Sequence, residues 1–251
     1  MKITYIHHSS FCVELEKQVL VFDYYDGSKV ESCPYYGKMP EFPKDTPLYV
    51  FSSHSHRDHF DKKVLTWSQR YHNIHYIFSK EIKRKLGTGV WKGLGCEENI
   101  KERIHYVKPG ESLDLEELQV ETLTSTDSGV AFLITCEEKT IYHAGDLNWW
   151  HWEGESETAN YYQKVTYQEQ INSLSQRKID VAFVVLDPRQ GEDMYLGIDY
   201  FMNHVNAKYV IPMHMWKKYQ YSKDYKEQQK QQEWKDKILE FKKENQEMIL
   251  E

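Results

Sequence analysis

The feature that most constrains this chain is a six-residue run, His54-Ser55-His56-Arg57-Asp58-His59. It follows directly on the apolar run Leu48-Tyr49-Val50-Phe51-Ser52, which predicts a buried strand. Imidazole nitrogen and carboxylate oxygen are preferred ligands of zinc and similar ions. At strand-like spacing, residues i and i+2 point the same way, so His54 and His56 can face one metal together. Once the chain turns, Asp58 and His59 can face a second position. Packing several imidazoles and a carboxylate together without a cation is hard to justify energetically. The alternative is a polar loop with chance histidines. With 12 His in 251 residues, three in six positions is improbable by accident.

A chain of 251 residues can form one compact domain and bury roughly three quarters of the surface its unfolded form exposes. The expected organisation is a single domain, 1–251, with two similar halves at about 1–118 and 119–251. The formal net charge of −7 argues against a general nucleic-acid binder and against an anionic membrane surface as partner. It leaves room for a local basic pocket suited to one phosphorylated small molecule. Cys12, Cys33, Cys96 and Cys136 have no CxxC or zinc-finger spacing, and scattered thiols on a long chain suggest a reducing compartment. The opening MKITYIHHSSF lacks an apolar signal-peptide core. No run approaches the ~20 apolar residues of a membrane span. A soluble, cytoplasmic protein is expected.

Short strands are predicted at Ile3–Ile6, Phe11–Leu15 and Val19–Phe22, the last ending at Asp23. A long loop follows over Asp26–Pro47. After the histidine motif, helical segments are expected at Lys62–Arg70 and Glu81–Lys85, a Gly-rich loop at Gly87–Gly95, and strands at His75–Phe78 and Ile104–Val107. The second half predicts strands at Leu118–Leu123, Val130–Cys136, Lys139–His143, Val181–Leu186 and Tyr209–Pro212. Helices are expected over 160–177 and Ile198–Val205. The tail from Lys223 to Glu251 is expected as a charged helix, with Trp234, Ile238, Phe241 and Met248 on one docking face. Strands accompanied by helices suggest layered α/β packing.

The histidine motif resembles the HxHxDH signature of the metallo-β-lactamase superfamily. The opening strands ending in Asp23, the segment Tyr142-His143-Ala144-Gly145-Asp146-Leu147-Asn148, and Val210-Ile211-Pro212-Met213-His214 resemble the family's other motifs in the right order. The resemblance covers nearly the whole chain. It implies an αββα sandwich of two similar halves, with up to two metal ions at one edge and hydrolytic chemistry. Zinc is the commonest metal there, one or two ions, with manganese or iron in some branches. By the resemblance, His54 and His56 bind one metal, Asp58, His59 and His214 the second, and Asp146 bridges both. Two such ions roughly 3.5–4 Å apart can hold a hydroxide and polarise the scissile group. Asp58, His59 and Asp146 are thereby the expected catalytic residues. Many members carry another His before a Gly-rich turn, where this chain has Thr124-Ser125-Thr126-Asp127-Ser128-Gly129. Asp127 is the candidate replacement ligand, or else a turn-capping carboxylate. Fewer nitrogen ligands shift preference toward harder ions such as manganese.

Around this set, His8 is a candidate for proximity to the site. Trp149, Trp150, His151 and Trp152 follow Asp146 directly and suggest a substrate wall, with Trp149 and His151 in contact with substrate or His151 as a spare ligand. Asp187 and Arg189 end a buried strand, which suits either a supporting or substrate-binding role or a structural salt bridge. Tyr35, Tyr36, Tyr219 and Tyr221 are loop residues that can rim a cleft. His143 is expected to be packed, and His72, His75, His105 and His204 structural or exposed. The function expected is a metal-activated hydrolase of a small ester, lactone or phosphate ester. The alternatives are a nuclease or phosphodiesterase of the same fold, which the acidic balance disfavours, and a metal-binding protein with little catalysis. Hydrolysis of β-lactams is not expected of a cytoplasmic protein.

Overall fold

In a computed structural model, residues 1–35, 38–96, 98–229 and 231–251 are described. Tyr36 lies outside them. The chain divides into two compact units, Met1–Lys108 with Lys243–Glu251, and Pro109–Lys242. The first unit thus ends at Lys108 and takes in the chain's last nine residues.

The first unit opens with a meander: β1 (Lys2–His7), β2 (Ser10–Glu14) and β3 (Val19–Phe22) pair antiparallel. From β3 the sheet continues in parallel through β4 (Leu48–Ser52), β5 (Ile74–Ser79) and β6 (Ile104–Val107). Every residue of β3 and β4 is buried. Their unbroken apolar runs fit parallel strands covered on both faces. The segments Lys62–Gln69 and Lys80–Lys85 are 3-10 turns rather than α-helices. Asp61 starts the first by accepting the Lys63 amide at 2.9 Å.

Two expectations fail here. The Gly-rich stretch expected as a loop carries α1 (Thr88–Leu94). Val90, Trp91 and Leu94 pack against the core, and that contact outweighs the poor helix propensity of glycine. The tail expected as one long helix is instead α4 (Gln220–Gln228), a 3-10 turn at Lys235–Lys237, and β13 (Gln246–Ile249), which pairs antiparallel with β1. Asn245 makes the turn: its φ is +56°, its amide donates to the Tyr5 carbonyl at 2.8 Å, and its side chain donates to the Lys38 carbonyl at 2.9 Å. A strand here covers the otherwise open edge of β1. That tertiary pairing overrides the local helical pattern.

In the second unit, β7 (Ser112–Leu115), β8 (Leu118–Thr124), β9 (Val130–Cys136) and β10 (Lys139–His143) form an antiparallel meander. β11 (Lys178–Val185) and β12 (Asn206–Met213) then add in parallel. The crossovers contain α2 (Glu157–Asn172) and α3 (Leu196–His204). Ser156 caps α2 by accepting the Ala159 amide at 3.1 Å. Tyr167 of α2 is buried and donates to the Gly197 carbonyl at 2.7 Å, which ties α2 to α3. Among the described residues no helix is long and apolar enough to cross a membrane.

Candidate metal centre

In sheets of this kind, ligands gather beyond the carboxyl ends of the parallel strands. The candidate residues follow that rule. Asp23 ends β3, His54 follows β4, Asp146 follows β10, Asp187 follows β11 and His214 follows β12. His8, Asp23 and His214 each have positive φ, at +52°, +43° and +66°. Non-glycine residues adopt this conformation rarely and at some cost, and such strain concentrates at functional sites.

In the first unit the centre is built on Asp23, which is fully buried. Its carboxylate accepts the Ser53 amide at 2.7 Å and the Ser53 hydroxyl at 2.6 Å. His59 Nδ1 lies 2.7 Å from the same carboxylate. A carboxylate only accepts, so this contact assigns the proton to Nδ1 and leaves Nε2 as the ligand atom. The Ser53 hydroxyl also lies 2.9 Å from His54 Nδ1, which fixes that ring in the same sense. His54 Nε2 then meets His56 Nδ1 at 3.0 Å. Tetrahedral ligands 2.0–2.1 Å from zinc stand roughly 3.3 Å apart, so these nitrogens are spaced as a metal pair is. His8 Nε2 is 3.4 Å and His59 Nε2 3.9 Å from Asp58 Oδ2. The ligand atoms of His8, Asp58 and His59 all lie within 4.8 Å of one another. Glu81 anchors the middle of the loop, accepting the Ser55 amide at 2.5 Å and its hydroxyl at 3.1 Å.

The second unit repeats the device. His214 Nδ1 is 3.0 Å from Asp187 Oδ2, and His214 Nε2 is 3.3 Å from Asp146 Oδ1. Asp187 also accepts from the Arg189 side chain through Nε and Nη2, and from Trp216 Nε1 at 3.2 Å. Burial alone would raise the Asp187 carboxyl. The His214 and Arg189 hydrogen bonds outweigh it and hold the group well below the usual carboxylate range. Asp127 is exposed, and its carboxylate lies within 4.8 Å of the Asp146 carboxylate. The turn that carries it is tied to the Asp146 loop. Thr126 donates to the Asn148 carbonyl at 2.7 Å and accepts the Asn148 amide at 2.9 Å. Asn148 in turn needs Gly197, where any side chain would strike its amide group.

The aromatic run after Asp146 divides in use. Trp150 is buried, donates to the Asp146 carbonyl at 3.0 Å and lies 6.0 Å from the His214 ring. Trp152 stacks on it at 5.6 Å. Trp149 and His151 line a cleft of about 520 Å³ with Trp152, Asn160, Tyr161 and Lys164. His151 Nδ1 is 2.7 Å from Asp193, so the structure pairs this ring with a carboxylate of the cleft wall. Arg189 lies over the Trp216 ring at 4.4 Å while its guanidinium pairs with Asp187. His143 is buried and takes the Gly145 amide at 3.1 Å. The roles of Glu81 and Asn148 were not foreseen. Neither carries a local sequence signal, since each acts through a contact that only the folded chain creates.

The donor set fits divalent metal ions: imidazoles with fixed tautomers alternate with carboxylates. Residues 2–214 match the family model described as the beta-lactamase superfamily domain. The metal-dependent hydrolase YtkL of Bacillus subtilis is 28% identical over 158 residues, covering 58% of this chain and 63% of that relative, so the match spans less than two thirds of its length. Igni18, a metallo hydrolase from the archaeon Ignicoccus hospitalis, superposes with a TM-score of 0.65 at 16% identity, over 100% of this chain and 98% of that one. CmlA, a diiron β-hydroxylase from Streptomyces venezuelae, gives 0.54 at 15% identity, over 85% of this chain and 44% of that one. At these identities the structural likenesses speak for the fold, the one expected from sequence. The chain belongs to the beta-lactamase superfamily.

Proposed function

We propose that the protein is a metal-dependent hydrolase of a small ester, lactone or phosphate ester, its ions held by His54, His56, Asp58, His59, Asp127, Asp146 and His214. The observation that carries this reading is the repeated carboxylate–histidine pair. Asp23 fixes His59 and Asp187 fixes His214, and each ring turns its Nε2 toward a further carboxylate, Asp58 or Asp146. When bound, divalent ions supply polarisation of the scissile group and activation of water near neutral pH. Asp58, partly open to solvent, turns Oδ2 to within 3.4 Å of His8 Nε2 and 3.9 Å of His59 Nε2, a position suited to a ligand oxygen. Asp127 adds oxygen where many relatives place nitrogen, which favours manganese or iron alongside zinc. Support comes from the Bacillus relative, called a metal-dependent hydrolase, and from CmlA, a diiron protein that is similar over part of its length. The acidic chain favours a small-molecule substrate over nucleic acid.

The test is metal content per chain together with turnover of an ester, a lactone and a phosphate-ester panel, for wild type, Asp146→Ala and Asp127→Ala. About two equivalents of metal, falling in both variants, with turnover lost in Asp146→Ala, is the expected result. One equivalent untouched by Asp127→Ala would remove Asp127 from the ligand set. No metal after reconstitution with zinc, manganese and iron would overturn the reading.

A further inference from the structure

Outside the ligand clusters, the first unit has a cleft of about 450 Å³ lined by Ser55, Arg57, Phe60, Asp61, Lys62 and Lys85. None of the expected metal ligands lines it. Arg57, Lys62 and Lys85 are exposed, and none is engaged in an ion pair among the described residues. Their neighbour Lys63 behaves differently, meeting Asp26 at 3.1 Å. Of the cleft's single carboxylate, Asp61, one oxygen accepts the Lys63 amide. Three cations thus converge on one carboxylate in a chain that carries 39 acidic against 32 basic residues. Acids are abundant enough to neutralise this cleft, and its surplus positive charge is a local field that selects anions. Phe60, itself buried, supplies an apolar wall that strengthens such attraction.

We propose that this cleft binds the phosphate group of a small phosphorylated molecule. The planar guanidinium of Arg57 presents paired donors suited to phosphate, and the two ammonium groups balance a dianion better than a single carboxylate. A single cleft on an acidic chain does not form the basic stripe that a nucleic-acid backbone needs. The site does not depend on the hydrolase reading. Arg57 does, however, lie between the ligand candidates His56 and Asp58, about 3.8 Å along the chain from each, so a phosphate held here sits beside the metal loop.

Titration calorimetry of the 251-residue chain with inorganic phosphate at low ionic strength tests this, using wild type, Lys62→Gln, Lys85→Gln and Asp146→Ala. Saturable binding is expected, weakening as salt rises. Each lysine variant should bind about five-fold more weakly or worse, with an unchanged thermal midpoint because both side chains are exposed. Asp146→Ala should bind like wild type. Absence of saturable binding, or equal affinity in Lys85→Gln, would overturn the proposal. So would binding lost in Asp146→Ala but kept in Lys85→Gln, which would put the anion on the metal ligands. Acetate binding as tightly as phosphate would overturn the choice of phosphate.

Discussion

The residues that matter most to the candidate centre are not all ligands. Asp23 and Asp187 are fully buried carboxylates whose hydrogen bonds decide which nitrogen of His59 and of His214 remains to coordinate. Asp187→Asn keeps the volume but removes the charge that fixes the His214 tautomer and holds Arg189. Metal affinity should fall about 10- to 100-fold, read by competition with a chromophoric chelator. An unchanged affinity would show that the pair is merely structural. Asp23→Ala should be worse for the fold itself, because Ser53 and His59 lose a buried acceptor. A destabilisation of about 2–4 kcal/mol in urea unfolding is expected. From sequence, Asp23 was visible only as a strand end and Asp187 only as a possible support. Their function lies in a partner 36 or 27 residues away, which no local pattern encodes.

At the scale of elements, the apolar strands were the most legible features. β3 and β4 have the bounds that their apolar runs predict, because a strand buried on both faces has little freedom in composition. The tail departs from the expected helix because β13 is only four residues long and has two polar residues followed by two apolar ones, with no alternation to mark a strand; what makes it one is the edge of β1. Deleting residues 246–251 should therefore open that edge. The truncated chain is expected to aggregate at concentrations where the full chain stays monodisperse, as light scattering would reveal. Between β5 and β6, the rings of His75 and His105 stack at 5.8 Å. Burial lowers both from the ordinary value of 6.5, with the charge of the neighbouring ring adding to the effect on His75. Below 6.5 the unfolded chain takes up protons that the folded chain refuses, so this contribution is intact above 6.5 and is lost as pH falls through the lowered values. Urea midpoints measured from pH 7.5 to 5.5 should decline, and less steeply in His105→Gln. A parallel decline in the variant would sink this assignment.

For the molecule as a whole, metal binding and stability are linked. An ion present at 100 times its Kd adds about 2.7 kcal/mol to the folded state. For a chain of this size that corresponds to a thermal midpoint raised by roughly 5–10 °C. Dialysis against a chelator should remove that increment in wild type and change Asp146→Ala little. Equal midpoints with and without metal would mean that no ion binds the folded chain in preference to the unfolded one.

The sequence alone determined the histidine motif, the order of candidate ligands at the strand ends and the family, because ligand chemistry permits few residue types and buried strands permit few compositions. Asp127 was singled out by the histidine missing at its place, and the structure brings its carboxylate near Asp146. Only the tertiary structure decided which carboxylate fixes which imidazole, that the last strand closes the first, and that Arg57, Lys62 and Lys85 share one cleft. Those facts depend on distances between residues far apart in the chain, and local propensity and spacing carry no information about them.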